Sequence, residues 1–581
     1  MTSFLICGSN SINKRILLSK RRRSKDITRC LTSRTESILE GRSLVLVVST
    51  DAHAGEPTKR SSYAGRLLWH ADWMEESCRE CQAESGQALP LTRDSSSQTI
   101  SVVQGHGPRL SKINLFSLLS LWLELFPQEQ PEEDNCQIRR VGLVVVRDSK
   151  VVGLHYSGHE LHAGQAAIIQ HAARLADCQL YFSRRPCATC LKMIINAGVS
   201  EISFWPGDPE VSMLRWGSPA PAGPIPEEAA LDAVATEKLK SNSRSHICLL
   251  LQPLATGMVH FVGETSRECD FMATLTDDDP GLNTDEIFRS EQEKHFEDFS
   301  KRFLIEDSNQ HREILNQMHL ENFCVEPYFS NLRDNMKEVV HVLAAVVAGV
   351  PRRHYGFHRR EPAAPNALLT SSLPPPQHEG VSQEVARHCI IQARLLAYRT
   401  EDPKVGVGAV IWASRPSAGL DRPGRLSLVG CGYNAYPAGS QYAEYPLMDD
   451  KQEDRKRRKY RYIIHAEQNA LTFRTRDINP EESAMLFVTK CPCDECVPLI
   501  RGAGITHIYT TDQDRDRNKR DISYLRFSNL KGIQKFIWQR DPKVSPVTII
   551  NGHKRSREGE QEMHNIKKLC PSRSNDLPFI S

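Results

Sequence analysis

The chain has no apolar run of the roughly 18 to 20 residues needed to cross a bilayer. Its longest, Leu115 to Phe126, is interrupted by Ser117, Ser120 and Glu124, so no membrane partner is expected. It also has almost no net charge: 74 Lys and Arg against 71 Asp and Glu leave +3 over 581 residues. That removes any general electrostatic reason to bind DNA or RNA and leaves only local patches to consider. Of its 17 cysteines only three sets are closely spaced, Cys78/Cys81, Cys187/Cys190 and Cys491/Cys493/Cys496. A secreted disulfide scaffold is thereby excluded, and a reducing compartment is expected. The cytoplasm fits, with nuclear entry left open. At this length two to four domains can each bury a core.

Residues 1–105 are polar, rich in serine and arginine and weakly patterned, and are expected to be disordered. Lys14, Arg15 and Lys20 to Arg23 precede the first acid, Asp26. A transit peptide or nuclear signal would look like this, and so would a plain basic tail. His70, Cys78 and Cys81 have no second ligand pair nearby, which speaks against a zinc ribbon.

A domain is expected over residues 106–260. Ile113 to Phe126 suits a buried helix stopped by Pro127; its leucine spacing also fits a nuclear export signal, but a core helix is the simpler reading. Val141 to Val146 and Val151 to His155 read as a hairpin turning at Asp148-Ser149. Helical periodicity predicts a connector over 261–360, and prolines at 362, 365 and 374 to 376 mark a linker over 361–380. A second domain over 381–545 opens with an amphipathic helix, Gln383 to Tyr398. Strands follow at Val405 to Trp412 and Leu426 to Cys431. The tail, 546–581, is expected to be disordered. Its Lys554-Arg555 and Lys567-Lys568 pairs have bipartite nuclear-signal spacing, which chance often produces.

Each domain carries one version of a motif. The second reads His465-Ala466-Glu467 and then Pro492-Cys493-Asp494-Glu495-Cys496; the first reads His162-Ala163-Gly164 and then Pro186-Cys187-Ala188-Thr189-Cys190. Histidine to first cysteine spans 28 residues in one and 25 in the other. Both Cys-x-x-Cys pairs lead into a helix closed by Ala-Gly (Ala197-Gly198, Ala503-Gly504) and then a strand. Two copies of one α/β domain explain this best.

One imidazole and two thiols are three zinc ligands, and three leave a fourth position open for water. Zinc lowers that water's pKa from about 15.7 to about 7, roughly 12 kcal/mol at about 1.36 kcal/mol per unit. Both ligand pairs fall at helix starts, whose positive ends favour thiolates. Glu467, beside the metal but not bound to it, can carry a proton from water to a leaving group. A structural zinc knot with Glu467 as a solvated helix residue is the competing reading, and Cys491 belongs to the core or the rim. In the first copy Gly164 stands where the glutamate should be, and Glu160 lies on the wrong side of the histidine. Only about six residues separate its second strand from His162, against more than thirty in the other copy. The first copy therefore reads as non-catalytic, with a structural zinc on His162, Cys187 and Cys190.

His-x-Glu followed by Pro-Cys-x-x-Cys is the signature of zinc-dependent deaminases, and the chain resembles the cytidine and deoxycytidylate (dCMP) deaminase family beyond it. Ala397 to Pro403 followed by Val405-Gly406-Val407-Gly408-Ala409, the turn Gly432-Tyr433-Asn434, and Lys459-Tyr460-Arg461-Tyr462 before His465 are similar to segments of that family. The resemblance implies two three-layer α/β/α domains with mixed sheets. It implies zinc on His465, Cys493 and Cys496, Glu467 as proton donor, Asn434 as a nucleoside contact, and a homo-oligomer. The expected activity is hydrolytic deamination of a free cytosine nucleotide of the dCMP or dCTP class.

One departure bears on substrate. Arg455-Lys456-Arg457-Arg458-Lys459 is more positive charge than one phosphate needs. At a pocket mouth, Arg457 and Lys459 would suit a di- or triphosphate; a solvated face balanced by Asp449, Asp450, Glu453 and Asp454, or an effector site, would account for the run equally well. Two rival functions remain at this level. A deaminase of single-stranded DNA or RNA is disfavoured by Thr489-Lys490-Cys491, which lacks the Ser-Trp pairing usual in such editors. A non-enzymatic, zinc-stabilised partner protein is disfavoured by the intact Glu467.

Overall fold

The β-branched runs do form a hairpin. β1 (Gly142–Arg147) and β2 (Lys150–Tyr156) pair antiparallel. The two residues between them, Asp148 and Ser149, both take positive φ, 49° and 60°, as a two-residue primed turn requires. The computed structural model describes residues 108–127, 139–158, 161–211, 226–249, 251–279, 281–352, 354–359, 380–400, 406–414, 426–437, 456, 458–514, 516–519 and 522–542. The basic N-terminal region with Cys78 and Cys81, the proline-rich linker up to residue 379 and the tail past residue 542 lie outside the described residues, and so do Glu160 and Arg457.

β1 also pairs antiparallel with β3 (Gln179–Phe182); β4 (Glu201–Phe204) and β5 (His246–Leu249) then add in parallel, giving the order β2-β1-β3-β4-β5. β1 is an interior strand and is apolar almost throughout because it is covered on both faces. The helices are α1 (Lys112–Glu124), α2 (Ala163–His171), α3 (Ala188–Asn196) and α4 (Pro226–Ser241). α1 is buried from Asn114 to its end.

Five helices follow: α5 (Met258–Arg267), α6 (Asp270–Asp278), α7 (Thr284–Phe303), α8 (Ser308–Gln317) and α9 (Tyr328–Ala348). From Val339 to Ala348 every residue except His341 is buried, so the last turns of α9 run through the core. Residues 355–359 differ from the expected helical connector. They form β6 (Tyr355–Arg359), which pairs antiparallel with β13 (Gln534–Arg540) at the edge of the second sheet. Phe357 packs edge-on to Trp538 there, and this distant pairing selects the strand.

The second sheet repeats the first. Its elements are α10 (Gln383–Ala397), β7 (Gly408–Ser414), β8 (Leu426–Tyr433), α11 (Ala466–Thr472), β9 (Ser483–Val488), α12 (Cys496–Gly502), β10 (His507–Thr510), the ribbon β11 (Asn518–Lys519) and β12 (Ile522–Ser523), and α13 (Leu525–Ser528). Their order β8-β7-β9-β10-β13-β6 matches the first sheet, hairpin then parallel strands, with β6 added. Gly198 and Gly504 end the cysteine-bearing helices at φ 81° and 82°, the left-handed cap that their place in the repeat predicts. The fold is thus two mixed-sheet α/β domains. Among the described residues no helix is long and apolar enough to cross a membrane.

The domains meet at α1 and α10. Trp122 stacks on His388 with centroids 4.4 Å apart and donates Nε1–H to its carbonyl at 2.9 Å. Phe126 lies edge-on to the same imidazole and stacks on Tyr156. Each such ring pair adds about 0.5–1.5 kcal/mol beyond its buried area. Burial holds His388 well below the usual imidazole value. It also depresses His171 to about 4 and His295 to about 3.

Neutral in the folded chain, these rings protonate near pH 6.5 once unfolded, so the stability they carry is complete above about pH 6.5 and falls as pH drops toward their folded values. The melting temperature should therefore decline steadily from pH 6.5 to 4. His388→Phe, which can still stack, should show a shallower decline; parallel profiles would rule out a contribution from His388.

Candidate metal centres

In the C-terminal domain two helices begin at one point. His465 is the N-cap of α11, and its backbone N–H donates to Gln468 Oε1 at 2.9 Å, which fixes the residue at the helix start. Beyond β9 the chain turns through Cys491 and Pro492 into α12, with Cys493 just ahead of the helix and Cys496 as its first residue. His465 Nδ1 lies 3.2 Å from Cys493 Sγ and 3.4 Å from Cys496 Sγ. The three ligand atoms are within 4.8 Å of one another, and among the described residues no carboxylate joins the group. One nitrogen and two sulfurs in this span fit zinc and leave its fourth position open. Cys491 is buried but outside the group, with its Sγ 3.8 Å from the Pro492 carbonyl.

The thiol of Cys496 donates to Cys493 and, with His465, holds the Cys493 pKa well below the usual thiol value; the same bond keeps Cys496 a thiol. His465 is raised to about 9: burial opposes its charge, but Cys493 and Glu467 outweigh burial. Glu467, the second residue of α11, is 4% exposed. Burial lifts its carboxyl to about 7, so it can take up and give back a proton near neutrality.

Asn434 follows β8. Its Oδ1 accepts from the Val407 N–H and the Thr400 hydroxyl, both at 2.8 Å, which sets the plane of its amide. Asn469 Nδ2 donates to Tyr433 O at 2.7 Å and ties α11 to this turn. A cleft of about 530 Å³ opens beside the helix starts, lined by Pro437, the segment Tyr460 to Ile464, Gln468 and Glu495. Lys459 is wholly buried and Arg458 is 4% exposed, so these two cations do not form a solvated face. Arg457, between Lys456 and Arg458, lies outside the described residues.

The first domain repeats the arrangement with two changes. His162 caps α2, its N–H donating to Gln165 Oε1 at 3.0 Å, and Cys187 caps α3, with Cys187 Sγ 3.5 Å from His162 Nδ1. The matching glutamines, Gln165 and Gln468, are a signal of the repeat that the motif reading passed over. At Gly164 a Cβ would sit 3.0 Å from Cys190 Cβ and 3.1 Å from its Sγ, so a side chain there would press on the thiol and need it to give by a few tenths of an ångström. The second change is Glu210, which joins His162, Cys187 and Cys190 in a buried four-residue group. Its position beyond β4, in Gly207-Asp208-Pro209-Glu210, matches no spacing rule. A smaller cavity of about 290 Å³ in this domain, lined by Ile168, Ala172, Ala173, Met193, Asn196 and Ala197, touches none of the four.

A family model described as the cytidine and deoxycytidylate deaminase zinc-binding region matches the chain at residues 120–205 and 383–511. Each match holds one His-Cys-Cys set, and Glu210 falls outside the first. The chain is 55% identical over 456 residues to cytidine and dCMP deaminase domain-containing protein 1 of Danio rerio, across 78% of this chain and 94% of that protein. It is 32% identical over 160 residues to deoxycytidylate deaminase of Homo sapiens, across 27% of this chain and 80% of that protein. Among solved structures, dCMP deaminase from the cyanophage S-TIM5 is similar at 21% identity and a TM-score of 0.18, across 27% of this chain and 98% of that one.

Because Cys491 stands outside the ligand group, Cys491→Ala should leave the zinc content of the purified chain unchanged, whereas Cys493→Ala should remove about one equivalent from it. Elemental analysis reads both; a loss of zinc in Cys491→Ala would make it a ligand.

Proposed function

The chain belongs to the cytidine and deoxycytidylate deaminase family, and on that premise we propose that its C-terminal domain hydrolytically deaminates a free cytosine nucleotide of the dCMP or dCTP class. The observation that carries this is a buried carboxyl, Glu467, beside a group of three ligands that, among the described residues, no carboxylate joins. His465, Cys493 and Cys496 would hold the ion. Bound there, zinc supplies a water whose pKa is near 7 and a Lewis acid at the reacting carbon.

The rest falls to the chain's own groups. Deamination replaces the exocyclic amine of cytosine with oxygen from water and needs protons at N3 and on the departing ammonia. Glu467, with its pKa raised to about 7, takes one proton from the attacking water and passes it to N3, then takes the remaining proton of the new C4 hydroxyl and passes it to the departing amine. Asn434, its amide plane set by Val407 and Thr400, would hydrogen-bond the nucleoside. The cleft bounded by Tyr460 to Ile464 would take the nucleotide. The basic run Arg455 to Lys459 lies just ahead of it in sequence and would suit a substrate with more than one phosphate. In the first domain His162, Cys187 and Cys190 would hold a second ion without a proton carrier.

The reading is tested by incubating zinc-loaded protein with cytidine, dCMP, dCTP, CTP and a cytosine-bearing single strand, and measuring uracil products. A free nucleotide should react, and Glu467→Gln should lower kcat by at least about 10²–10⁴-fold with zinc content unchanged. Product from the strand alone would make the chain a polynucleotide editor, and full activity in Glu467→Gln would remove Glu467 from the chemistry. Lys459→Ala should raise KM more for dCTP than for dCMP; equal effects on both would contradict a role in reading phosphates.

A further inference from the structure

We infer that Glu210 is the fourth ligand of the first domain's metal site and closes it against water. This rests on the reading that His162, Cys187 and Cys190 bind zinc there. Glu210 Oε1 lies 2.7 Å from His162 Nδ1, the ring nitrogen that also faces Cys187 Sγ. The carboxylate thus sits among the ligand atoms and not beyond them, and all four donors are within 4.8 Å of one another. Glu210 is 1% exposed, and apart from the His162 contact its Oε1 has no donor among the described residues. A buried carboxylate oxygen left in this state is costly unless a cation takes it.

The other oxygen of the same carboxylate is already committed. Oε2 accepts the backbone N–H of Cys187 at 3.0 Å, which aims Oε1 at the centre of the group. The loop behind it is held from several sides. The Glu210 N–H donates to Arg185 O, Trp205 Nε1 to Phe303 O, and Pro206 O bonds His311 Nε2, each at about 2.9 Å. Asp208 pairs with Arg139 at 2.7 Å, and Arg184 forks onto Glu124. Helices α7 and α8 of the connector therefore buttress the loop that carries the ligand.

The chemistry follows from the coordination count. One nitrogen, two sulfurs and one carboxylate oxygen complete a tetrahedral zinc site, and a completed site has no position for a reacting water. Glu467 in the other domain stands outside its ligand group, so the two glutamates have opposite parts: one would serve water and the other displaces it. Gly164 fits the same picture, since any side chain at that point would press on the Cys190 thiol. The first domain becomes a metal staple that joins α2, α3 and the loop after β4, and through that loop the connector.

Cobalt(II) in place of zinc provides the test, because its visible absorption reports coordination and responds to azide only where a position is open. In the full chain with two cobalt ions, azide should perturb about half of the absorption. Glu210→Gln keeps an acceptor for the Cys187 N–H, and should speed release of one of the two ions to EDTA by about 10–100-fold or more; loss of even an outer-shell partner costs that much. Glu210→Ala should let azide reach both ions. If azide perturbs both ions in the unsubstituted chain, or neither ion leaves faster from Glu210→Gln, Glu210 is not a ligand, while a three-ligand site still stands. A chain that holds one ion, unchanged by His162→Ala, would overturn the first-domain metal site and this inference with it.

Discussion

Two helix starts brought to one point by a mixed sheet are the constraint on which everything else depends. In both domains a histidine caps one helix and a Cys-x-x-Cys pair opens the next, and the hairpin-then-parallel strand order sets the ends of those helices side by side. The His465 nitrogen and the two sulfurs meet at 3.2–3.4 Å only because α11 and α12 leave the same edge of the second sheet. Buried polar atoms so crowded are stable when an ion compensates them. The same geometry provides a place for water if one position is left over.

What separates the two domains is that fourth position. In the C-terminal copy the group has three members and a buried carboxyl stands beside it; in the first copy glycine replaces the glutamate and a carboxylate arrives from another loop. On the proposed reading, the first copy exchanges reactivity for cross-linking. Its metal group is continuous, through the loop 205–210, with the connector helices, and these pack against both domains. Trp538 donating to the Phe271 carbonyl and Arg387 donating to those of Val347 and Val350 complete the tie on the other side.

Local features were the ones legible in the sequence. The turn at Asp148-Ser149, the left-handed glycines after α3 and α12 and the helix over 383–397 follow from short-range backbone preferences and hydrophobic period. The two His-Cys-Cys sets were legible for the same reason, since each ligand lies on a helix start with its own cap signal. Glu210 was not. Its part comes from the packing of a loop twenty positions past Cys190, and nothing within a motif's reach records that. β6 escaped notice because its pairing with β13 joins residues far apart in the chain. Lys459 sits in a charge run for which a pocket mouth and a solvated face account equally well in the sequence; that it is fully enclosed is shown only by tertiary burial.

The central claim is that one domain leaves its metal open while the other closes it. A structure of the zinc-loaded chain, determined finely enough to count ligands, tests this most directly. It should contain two ions: one on His465, Cys493 and Cys496 with a water facing Glu467, and one on His162, Cys187, Cys190 and Glu210 with none. A water-bearing ion in the first domain, or Glu467 bound directly to the metal in the second, would contradict the account.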